Sequence, residues 1–430
     1  EPEIDFALKK KIFKPMPEFG LEPINDIITF QPTLPAYNLL SNGRYHLALD
    51  SKGYGYSSLN GKILNKENNY NHGVNIHFDE QTICLMAQSQ TVIQNSSYSL
   101  YKYEYNGLTF ELKIAVMQDN DGEIRSLTIT NDNQTECSCR AAFFIEPVLT
   151  FAESYYAHPV FNNMVVMTKK LDDNIIYAYR NNEKKPIYLA ASVIEGNALY
   201  ETNRFNFHSR SGLGWIDLKQ ERADSFGEIL EPVLGAIKDI KIPTNKKVNI
   251  NYVITAGKSI NKLKDAISSY SLEEAIEKAV DTSTIYLKQL WTTFSPEKDL
   301  MYTIKTMFAR LKTCAIEYGN DYSDLYDDVK ILFKNGINAN RPIITYIYRS
   351  ENTNDLLKTV EIFRFLSSFG LKVTLILMYS EPEMYINPLL DEINRTIDRL
   401  SLRNMVDERR INIINITRID ENLINILKRV

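Results

Sequence analysis

The sequence predicts a mixed β and α/β protein, in which a large antiparallel β-sandwich (a supersandwich) is followed by a helical linker and a small three-stranded parallel α/β unit. Three observations predict this order. Apolar residues recur at every second position between residues 37 and 257, at helical spacing from residue 258, and in short continuous runs after residue 326. A chain of 430 residues is too long for one compact core, so several domains are expected.

The sandwich prediction rests on alternating strands that are separated by tight turns. Residues 108–116 carry Leu, Phe, Leu, Ile and Val at every second position, and residues 248–254 repeat the pattern with Val, Ile, Tyr and Ile. Asn-Gly pairs, which favour type I′ hairpins, occur at positions 42–43, 60–61 and 106–107. Many strands with such turns and no intervening helices are typical of an antiparallel sandwich.

The regions on either side of the sandwich have a different character. Residues 1–36 contain six prolines and are predicted to lead into the sandwich without long helices. The sandwich itself is placed at residues 37–257, and the helical linker at residues 258–325. Within the linker, a capping box at residues 271–274 and a Ser-Pro pair at residues 295–296 predict two helix starts.

Residues 326–430 are predicted to form the α/β unit. Apolar runs lie at 343–348, 371–379 and 411–416, and helical spacing lies at 356–369, 389–400 and 421–430. Continuous apolar strands that alternate with helices indicate a parallel sheet with right-handed crossovers. The chain begins with Glu and ends inside the last amphipathic helix, so we expect a fragment of a longer protein, truncated at the C-terminal end of this unit.

Composition excludes several classes of function. The net charge is −5, whereas nucleic-acid binding requires a basic surface. No apolar run approaches the ~20 residues of a membrane span, and the amino terminus has no signal sequence. Four scattered cysteines, which are Cys84, Cys137, Cys139 and Cys314, are expected to be reduced thiols. We therefore expect a soluble, cytoplasmic chain with no nucleic-acid and no membrane partner.

The residues alone show no catalytic centre. The sequence has no phosphate-binding loop, dinucleotide fingerprint, serine nucleophile elbow or kinase signature. Of the five histidines only His72 and His77 are close, and their spacing of five fits neither a helix face nor a strand face. We therefore predict no metal site, no cofactor and no catalytic residue within this chain.

Three segments resemble motifs of one enzyme family. Residues 40–46 (Leu-Ser-Asn-Gly-Arg-Tyr-His), followed by residues 53–57 (Gly-Tyr-Gly-Tyr-Ser), resemble the opening of the amino-terminal sandwich in the family 94 glycoside phosphorylases, formerly called glycosyltransferase family 36. Residues 157–163 (Ala-His-Pro-Val-Phe-Asn-Asn) are similar to the Ala-His-Pro-x-Phe element of that sandwich, and residues 336–343 to its Gly-Ile-Ser-Gly-Asp-x-Pro segment. The segments occur in family order and span most of the chain.

Two positions depart from the family pattern. Leu59 stands where relatives usually carry Trp. Residues 338–340 read Asn-Ala-Asn where relatives carry Ser-Gly-Asp, so any carboxylate role at that point is lost.

The resemblance implies the amino-terminal portion of an inverting phosphorylase, which transfers glucosyl units between β-1,2-glucan oligosaccharides and inorganic phosphate. Because phosphate is the nucleophile, one carboxylic acid suffices where an inverting hydrolase needs two. Nothing in this chain resembles the motif of the (α/α)-barrel that supplies the family's general acid. The chain alone is therefore expected to be inactive, with oligosaccharide and phosphate as partners of the full-length enzyme, which could also form a homodimer.

The same segments supply the predicted substrate-binding residues, which are Asn42, Arg44, Tyr54, Tyr56 and His158. Arg44 can donate several hydrogen bonds to sugar hydroxyls, and tyrosine rings can stack on glucose. Tyr54 and Tyr56 are two positions apart and are expected to share a strand face, while the neighbouring glycines allow close backbone approach. The alternative role is structural: the tyrosines fill the sandwich edge, and Arg44 pairs with a carboxylate across the hairpin.

Three functions remain open at this point. The chain can be part of a 1,2-β-oligoglucan phosphorylase, or of the phosphorylase-like half of a cyclic β-1,2-glucan synthase. It can also be a non-catalytic carbohydrate-binding or scaffolding module.

Overall fold

A computed structural model describes residues 26–28, 36–67, 72–78, 81–194, 196–207, 225–270, 277, 286–287, 299–312, 325–350, 353–382 and 386–429. The chain divides into two compact units, one spanning residues 20–300 and the other comprising residues 1–19 and 301–430. Most of the proline-rich segment, the capping box at 271–274 and the Ser-Pro pair at 295–296 lie outside the described residues.

The unit formed by residues 20–300 is built from antiparallel strands. Its described strands are β1 Asp26–Ile28, β2 Asn38–Ser41, β3 Tyr45–Leu49, β4 Gly55–Leu59, β5 Lys62–Asn65, β6 His72–Phe78, β7 Gln81–Cys84, β8 Thr91–Gln94, β9 Ser99–Tyr105, β10 Leu108–Val116, β11 Gly122–Asn131, β12 Cys137–Ile145, β13 Pro147–Thr150, β14 Val166–Asp172, β15 Ile175–Arg180, β16 Tyr188–Val193, β17 Leu199–Asn203, β18 Gly227–Glu228, β19 Pro232–Ile242 and β20 Lys246–Gly257.

These strands form one ten-stranded sheet and two five-stranded sheets. The ten-stranded sheet has the order β1-β8-β9-β10-β11-β20-β16-β15-β14-β18. The five-stranded sheets have the orders β17-β19-β12-β6-β7 and β13-β5-β4-β3-β2. Every strand pairing in them is antiparallel, so the large sandwich predicted from the period of two is confirmed.

Alternation of side chains builds the core of the sandwich. In β10 the apolar positions 108, 110, 112 and 114 are buried, and the polar positions between them are half-buried. The core takes side chains from all three antiparallel sheets, for example Leu47, Phe110 and Phe143. Fully burying one such side chain contributes roughly 1.5–3 kcal/mol, so many alternating strands together stabilise the unit.

Short helices accompany the sandwich in this unit. They include α1 Ala152–Ala157, α2 Pro159–Met164, α3 Arg204–Phe207 and α4 Ile260–Ser268. Helix α4 packs its Leu263 and Ile267 against Val253 and Ile124, on the face of the ten-stranded sheet that points away from the main core. The helical spacing predicted from residue 258 is confirmed at α4.

The second unit contains a small parallel sheet. Its strands are β21 Ile343–Ile347, β22 Thr374–Tyr379 and β23 Ile411–Asn415, and its helices include α5 Asp299–Lys312, α6 Leu325–Lys334, α7 Thr353–Ser368, α8 Pro388–Arg399, α9 Arg403–Asp407 and α10 Glu421–Arg429. The central strand β22 pairs in parallel with both neighbours and is buried along its whole length. The predicted three-stranded parallel unit is confirmed. Among the described residues, no helix combines the length and the hydrophobicity needed to cross a bilayer.

Candidate functional site

The turn between β2 and β3 is fixed by the side chain of Asn42. Its Oδ1 accepts hydrogen bonds from the backbone N–H groups of Arg44 (3.0 Å) and Tyr45 (2.8 Å). Its Nδ2 donates to the carbonyls of Met117 (2.7 Å) and Asn120 (2.9 Å), in the turn between β10 and β11. Asn42 is buried, and its amide therefore holds two turns together. Unlike the exposed Arg44, Asn42 therefore lies below the protein surface.

The turn itself differs from the predicted type I′ hairpin. A type I′ turn needs positive φ at both central residues, but only Gly43 of this turn has a positive φ, at +89°. The Asx interactions of Asn42 keep that residue at negative φ. The prediction failed because a side-chain hydrogen bond to the backbone decided the turn geometry.

Arg44 leaves this turn with an exposed side chain. Its Nε donates to Oδ1 of Asp121 at 2.6 Å. The carboxylate belongs to the neighbouring β10–β11 turn, so the ion pair does not cross the β2–β3 hairpin. An exposed pair of this kind contributes only ~0–1 kcal/mol, which leaves the Arg44 guanidinium available for contacts with a ligand.

Arg44 lines a cleft of about 390 Å³, here called the Arg44 cleft. One wall is formed by residues 119–121 and a second by Leu59 and Asn60. The third is formed by residues 255–259, 262, 263 and 266, at the end of β20 and on α4. The volume lies within the ~300–1,000 Å³ range of small-molecule sites. Leu59, which departs from the family pattern, is part of this wall.

Tyr54 and Tyr56 are placed differently from each other. Tyr54 precedes β4 and is 36% exposed, whereas Tyr56 lies within β4 and is buried. Burial, reinforced by the nearby Glu67 and Tyr156, raises the pKa of Tyr56. The predicted close approach at the neighbouring glycine is confirmed, since a Cβ on Gly55 would collide with the carbonyl oxygen of Ala48.

Tyr156 brings helix α1 to the same region. Its hydroxyl donates to Oε2 of Glu67 at 2.9 Å. The hydrogen-bonded Glu67 also approaches β4, since its carbonyl accepts from the Gly55 N–H at 2.7 Å. Through Glu67, the structure therefore brings Tyr156, and with it the helix that precedes His158, to the segment that contains Tyr54 and Tyr56.

His158 is exposed between α1 and α2. Its ring lies edge-on to Phe161, with 5.9 Å between ring centroids. The two helices carry a group of exposed apolar side chains, here called the α1–α2 apolar face, which consists of Phe151, Tyr156, Val160, Phe161 and Met164. Exposed aromatic rings of this kind can stack on sugars. Asn42 and Arg44 lie in the β2–β3 turn and contact the β10–β11 turn, so the five predicted residues form two groups.

The β4–β5 turn lies between the two groups. Asn60 lines the Arg44 cleft, and the next residue, Gly61, approaches the ring of Phe151. A Cβ on Gly61 would lie 3.7 Å from the Phe151 ring. Lys62 places its ammonium 5.7 Å from the centre of the same ring. The short β4–β5 turn thus contributes to both groups.

Sequence reasoning missed a buried charge cluster beneath α2. Glu146 is fully buried, and it pairs with Lys66 (2.5 Å) and Arg204 (2.8 Å). Glu231 lies 3.4 Å from the Lys66 ammonium and accepts a hydrogen bond from Asn163 at 3.2 Å. Burial raises the pKa of Glu146, although Lys66 and Arg204 act in the opposite direction. The partners are too far apart in sequence for any local pattern to reveal them.

A second buried pair was also missed, although the sequence carries a signal for it. Arg125 donates to Oε1 of Glu123 through Nε (2.8 Å) and Nη2 (2.6 Å), and both side chains are fully buried. Tyr45 and Ser57 donate to the other carboxylate oxygen. The signal is a pair of opposite charges two positions apart, on a strand face that is otherwise apolar.

His46 is buried in the sandwich. Burial lowers the pKa of His46 to about 3, so the imidazole is neutral at physiological pH, with Nδ1 2.8 Å from Ser41 Oγ. In the part of the chain that the structure describes, no group of three or more His, Cys, Asp or Glu side chains is placed to hold a metal ion.

The sandwich region is similar in sequence to known proteins. Residues 81–273 match the family described as Glycosyl hydrolase 94, supersandwich domain. The curated cyclic beta-(1,2)-glucan synthase NdvB of Rhizobium meliloti (strain 1021) is 22% identical over 260 residues, which cover 54% of this chain and 9% of that protein. The chain therefore spans only a small part of this relative's length.

Solved structures of similar shape were also found. A putative kojibiose phosphorylase from human microbiome has 9% identity and a TM-score of 0.40, over 62% of this chain and 38% of that one. A bacterial glucoamylase in complex with acarbose has 11% identity and a TM-score of 0.38, over 67% and 44% of the two chains.

The resemblance that the motifs predicted is confirmed. Residues 81–273 are similar to the supersandwich domain of glycosyl hydrolase 94, and the similarity to the glucan synthase agrees with this. The chain is thereby related to carbohydrate-active enzymes of that kind.

Proposed function

We propose that this chain is the amino-terminal part of an enzyme that transfers glucosyl units reversibly between β-1,2-glucan oligosaccharides and inorganic phosphate. The observation that carries the proposal is the match of residues 81–273 to the glycosyl hydrolase 94 supersandwich domain. The motif at residues 40–46 and the structure of the turn it forms support a role at the substrate side, because they present Arg44 at a cleft.

In this proposal the sandwich assists a carbohydrate site and does not perform the chemistry. Arg44, Tyr54 and His158 are exposed and can contact sugar, with Arg44 donating to hydroxyls and the rings stacking on the apolar face of glucose. Asn42 and Tyr56 are buried and act by positioning Arg44 and Tyr156. Each neutral hydrogen bond adds only ~0.5–1.5 kcal/mol, so the affinity of this chain alone is millimolar at best.

Several finer features belong to the same proposal. Residues 1–36 lead into the sandwich, residues 37–257 form it, residues 258–325 link it to the α/β unit, and residues 326–430 form that unit. We place the enzyme in the cytoplasm, which the free thiols of Cys84, Cys137 and Cys139 support. Cys314 lies outside the described residues. Phosphate is the second substrate of the full-length enzyme, and a homodimer is its proposed assembly.

The second candidate is the corresponding region of a cyclic glucan synthase. The similarity of 260 residues to such a synthase favours it. A non-catalytic carbohydrate-binding module is the third candidate, supported by the exposed α1–α2 apolar face.

Phosphate dependence separates these candidates. The full-length protein is incubated with β-1,2-, β-1,3- and β-1,4-linked glucose oligomers, with and without inorganic phosphate, and glucose 1-phosphate is measured. We expect release from the β-1,2 oligomers only, and only with phosphate. Chain shortening by transfer without phosphate would instead support the synthase, and binding without any turnover would support the module.

The isolated chain provides the matched experiment. We expect no glucose 1-phosphate from it under the same conditions, because it carries no general acid of the family's type. Phosphorolysis by the purified chain, abolished by one carboxylate substitution within it, would contradict this.

A further inference from the structure

The Arg44 cleft contains a buried hydroxyl that lacks a partner. Thr255 is 1% exposed and lines the cleft, and no described group forms a hydrogen bond with its Oγ1. On β20, Thr255 lies two positions after Val253, which packs against Leu263 and Ile267 of α4. The two side chains therefore share a sheet face, and the Thr255 side chain points toward α4 and the cleft. Leaving a buried hydroxyl unpaired is unfavourable, so a ligand with an acceptor oxygen would complete the site.

The start of α4 forms the same side of the cleft. Ser259 is the N-cap residue, but its side chain makes no capping hydrogen bond to the helix. The first-turn N–H groups of a nine-residue helix then remain available, at the positive end of the helix dipole. Such a terminus favours phosphate and other anions.

Two lysines add positive charge to this end. Lys258 and Lys262 both line the cleft and are exposed. In the part of the chain that the structure describes, neither ammonium forms an ion pair with a carboxylate. The side of the cleft near α4 therefore combines a helix N-terminus, two ammonium groups and an unpaired hydroxyl donor, all suited to one phosphoryl group.

The part of the lining that comes from the hairpin turns has a different chemistry, and it lies beside β20, since the Ala256 N–H donates to the Asp121 carbonyl at 2.7 Å. Arg44 and Asp121 form their ion pair there, and Asn60, Asp119 and Asn120 supply further amide and carboxylate groups. These side chains offer donors and acceptors side by side, which is what a ring of sugar hydroxyls requires, since each hydroxyl both donates and accepts.

We propose that the Arg44 cleft binds a sugar phosphate, with the phosphoryl group at the start of α4 and the sugar ring against the Arg44–Asp121 pair. The two parts of the lining match the two parts of such a ligand, and the cleft volume of about 390 Å³ accommodates a small molecule of this class. The inference goes beyond the glucosyl transfer proposed above, because it assigns a non-covalent binding site on the sandwich itself.

Titration calorimetry on the intact 430-residue chain tests the proposal directly. The probes are glucose 1-phosphate, inorganic phosphate and glucose, each at concentrations up to about 20 mM. We expect glucose 1-phosphate to bind more tightly than either inorganic phosphate or glucose, because only it contacts both parts of the lining. No heat with glucose 1-phosphate would overturn the proposal, and equal affinity for inorganic phosphate would overturn the sugar end of it.

Variants locate the binding. Lys258→Ala combined with Lys262→Ala should weaken glucose 1-phosphate binding about tenfold or more, since two charge-assisted contacts are lost. Lys264→Ala is the matched control, because Lys264 lies on the same helix but pairs with Asp172 at 3.2 Å, outside the cleft. Equal affinity of the double variant and the wild type would exclude this site.

Thr255→Val separates a ligand contact from a purely structural hydroxyl. The substitution removes the unpaired hydroxyl and keeps the shape, so the variant should be at least as stable as the wild type. We expect its affinity for glucose 1-phosphate to fall about three- to tenfold. Unchanged affinity would remove Thr255 from the site. Because binding is measured without turnover, these outcomes are independent of whether the full-length protein is a phosphorylase.

Discussion

The sandwich and the α/β unit stabilise buried carboxylates in different ways. In the sandwich, Glu123 lies between strands, and its charge is balanced by Arg125, with further hydrogen bonds from Tyr45 and Ser57. In the α/β unit, Glu381 is also buried, but its carboxylate accepts from the N–H groups of Leu389 (3.1 Å) and Leu390 (3.4 Å) at the start of α8.

The architecture explains the difference. In the α/β unit each strand leads into a helix, so the first N–H groups of a helix lie near the carboxyl edge of the sheet. These N–H groups can stabilise a carboxylate in place of a cationic side chain. Around Glu123, the backbone groups of β11 are used in pairing with β10 and β20. Glu123 therefore depends on the Arg125 cation, and we expect the loss of this cation to be more costly than the loss of a helix cap.

The largest expected effect is therefore at Arg125. Arg125→Met should lower the free energy of unfolding of the sandwich by about 3–5 kcal/mol, because it leaves the Glu123 charge buried without its cation. Chemical denaturation followed by circular dichroism measures this. Adding Glu123→Gln should recover part of the loss, since the remaining amide is uncharged and can still accept from Tyr45 and Ser57. A loss below about 1 kcal/mol for Arg125→Met would contradict the comparison.

The buried carboxylate of Asp50, also in the sandwich, should behave in the opposite way from that of Glu123. Asp50 is buried, and its Oδ1 accepts from the N–H groups of Lys52 and Tyr54, both at 2.8 Å. Burial raises the pKa of Asp50 to about 6, although these two hydrogen bonds lower it. In the unfolded chain the value is about 3.9. The folded state therefore binds the proton more tightly, and the contribution of Asp50 to stability is greatest below pH ~4 and is lost as the pH rises through about 6.

Asp50→Asn removes this penalty and keeps an oxygen acceptor. Relative to the wild type, the variant should gain about 2–3 kcal/mol of stability at pH 7.5 and almost none at pH 4. Unfolding free energies of both proteins at the two pH values provide the measurement, and their difference cancels the titration of all other groups. If the stability difference between the two proteins does not change with pH, burial does not raise the pKa of Asp50.

Helix capping in the α/β unit should be worth less. Glu381→Ala should destabilise this unit by about 1 kcal/mol, since the freed N–H groups of Leu389 and Leu390 can turn to water. Hydrogen exchange at the start of α8 reports the change locally. Glu392→Ala is the matched control, because Glu392 lies on the same helix in a partly exposed pair with Arg395 at 3.1 Å. Equal exchange in the two variants would rule out the cap.

Much of the fold was predictable because it depends on local periodicity. The alternation at residues 108–116 became β10, and the apolar run at 371–379 contains the buried strand β22. These patterns repeat over short distances, so one sequence is enough to recognise them. The type of the β2–β3 turn was not predictable, since the Asn42 side chain forms hydrogen bonds with groups about 75 residues away.

The candidate site was predictable only in part, for a related reason. Arg44 was identified from its motif, but its partner Asp121 comes from another turn, 77 residues away. The pair of Lys66 and Glu146 joins positions 80 residues apart. Only the Glu123–Arg125 pair leaves a local trace, as two opposite charges on the face of β11 that Leu127 and Ile129 otherwise make apolar. Sites built by long-range contacts need the fold before they can be seen.

The smallest expected change in stability concerns the surface of the sandwich, at the predicted site. Arg44→Ala should alter the free energy of unfolding by less than about 1 kcal/mol, since its pair with Asp121 is exposed. Arg140→Ala is a matched control, because Arg140 forms a similar exposed pair with Asp239 at 2.5 Å on β12, away from the Arg44 cleft. Both variants should therefore fold with nearly the stability of the wild type.

Activity should distinguish Arg44 and Tyr54 from that control. Under the proposed function, Arg44→Ala and Tyr54→Ala in the full-length protein should each lower kcat/KM for β-1,2-glucan oligosaccharides about five- to tenfold, because each removes one proposed contact to the sugar. Arg140→Ala should leave kcat/KM unchanged. If kcat/KM and stability are unchanged in both site variants, the assignment of these residues to substrate binding is wrong. If only stability falls, the structural interpretation of the Arg44–Asp121 pair and of the Tyr54 ring is correct, and the sugar must be held elsewhere in the enzyme.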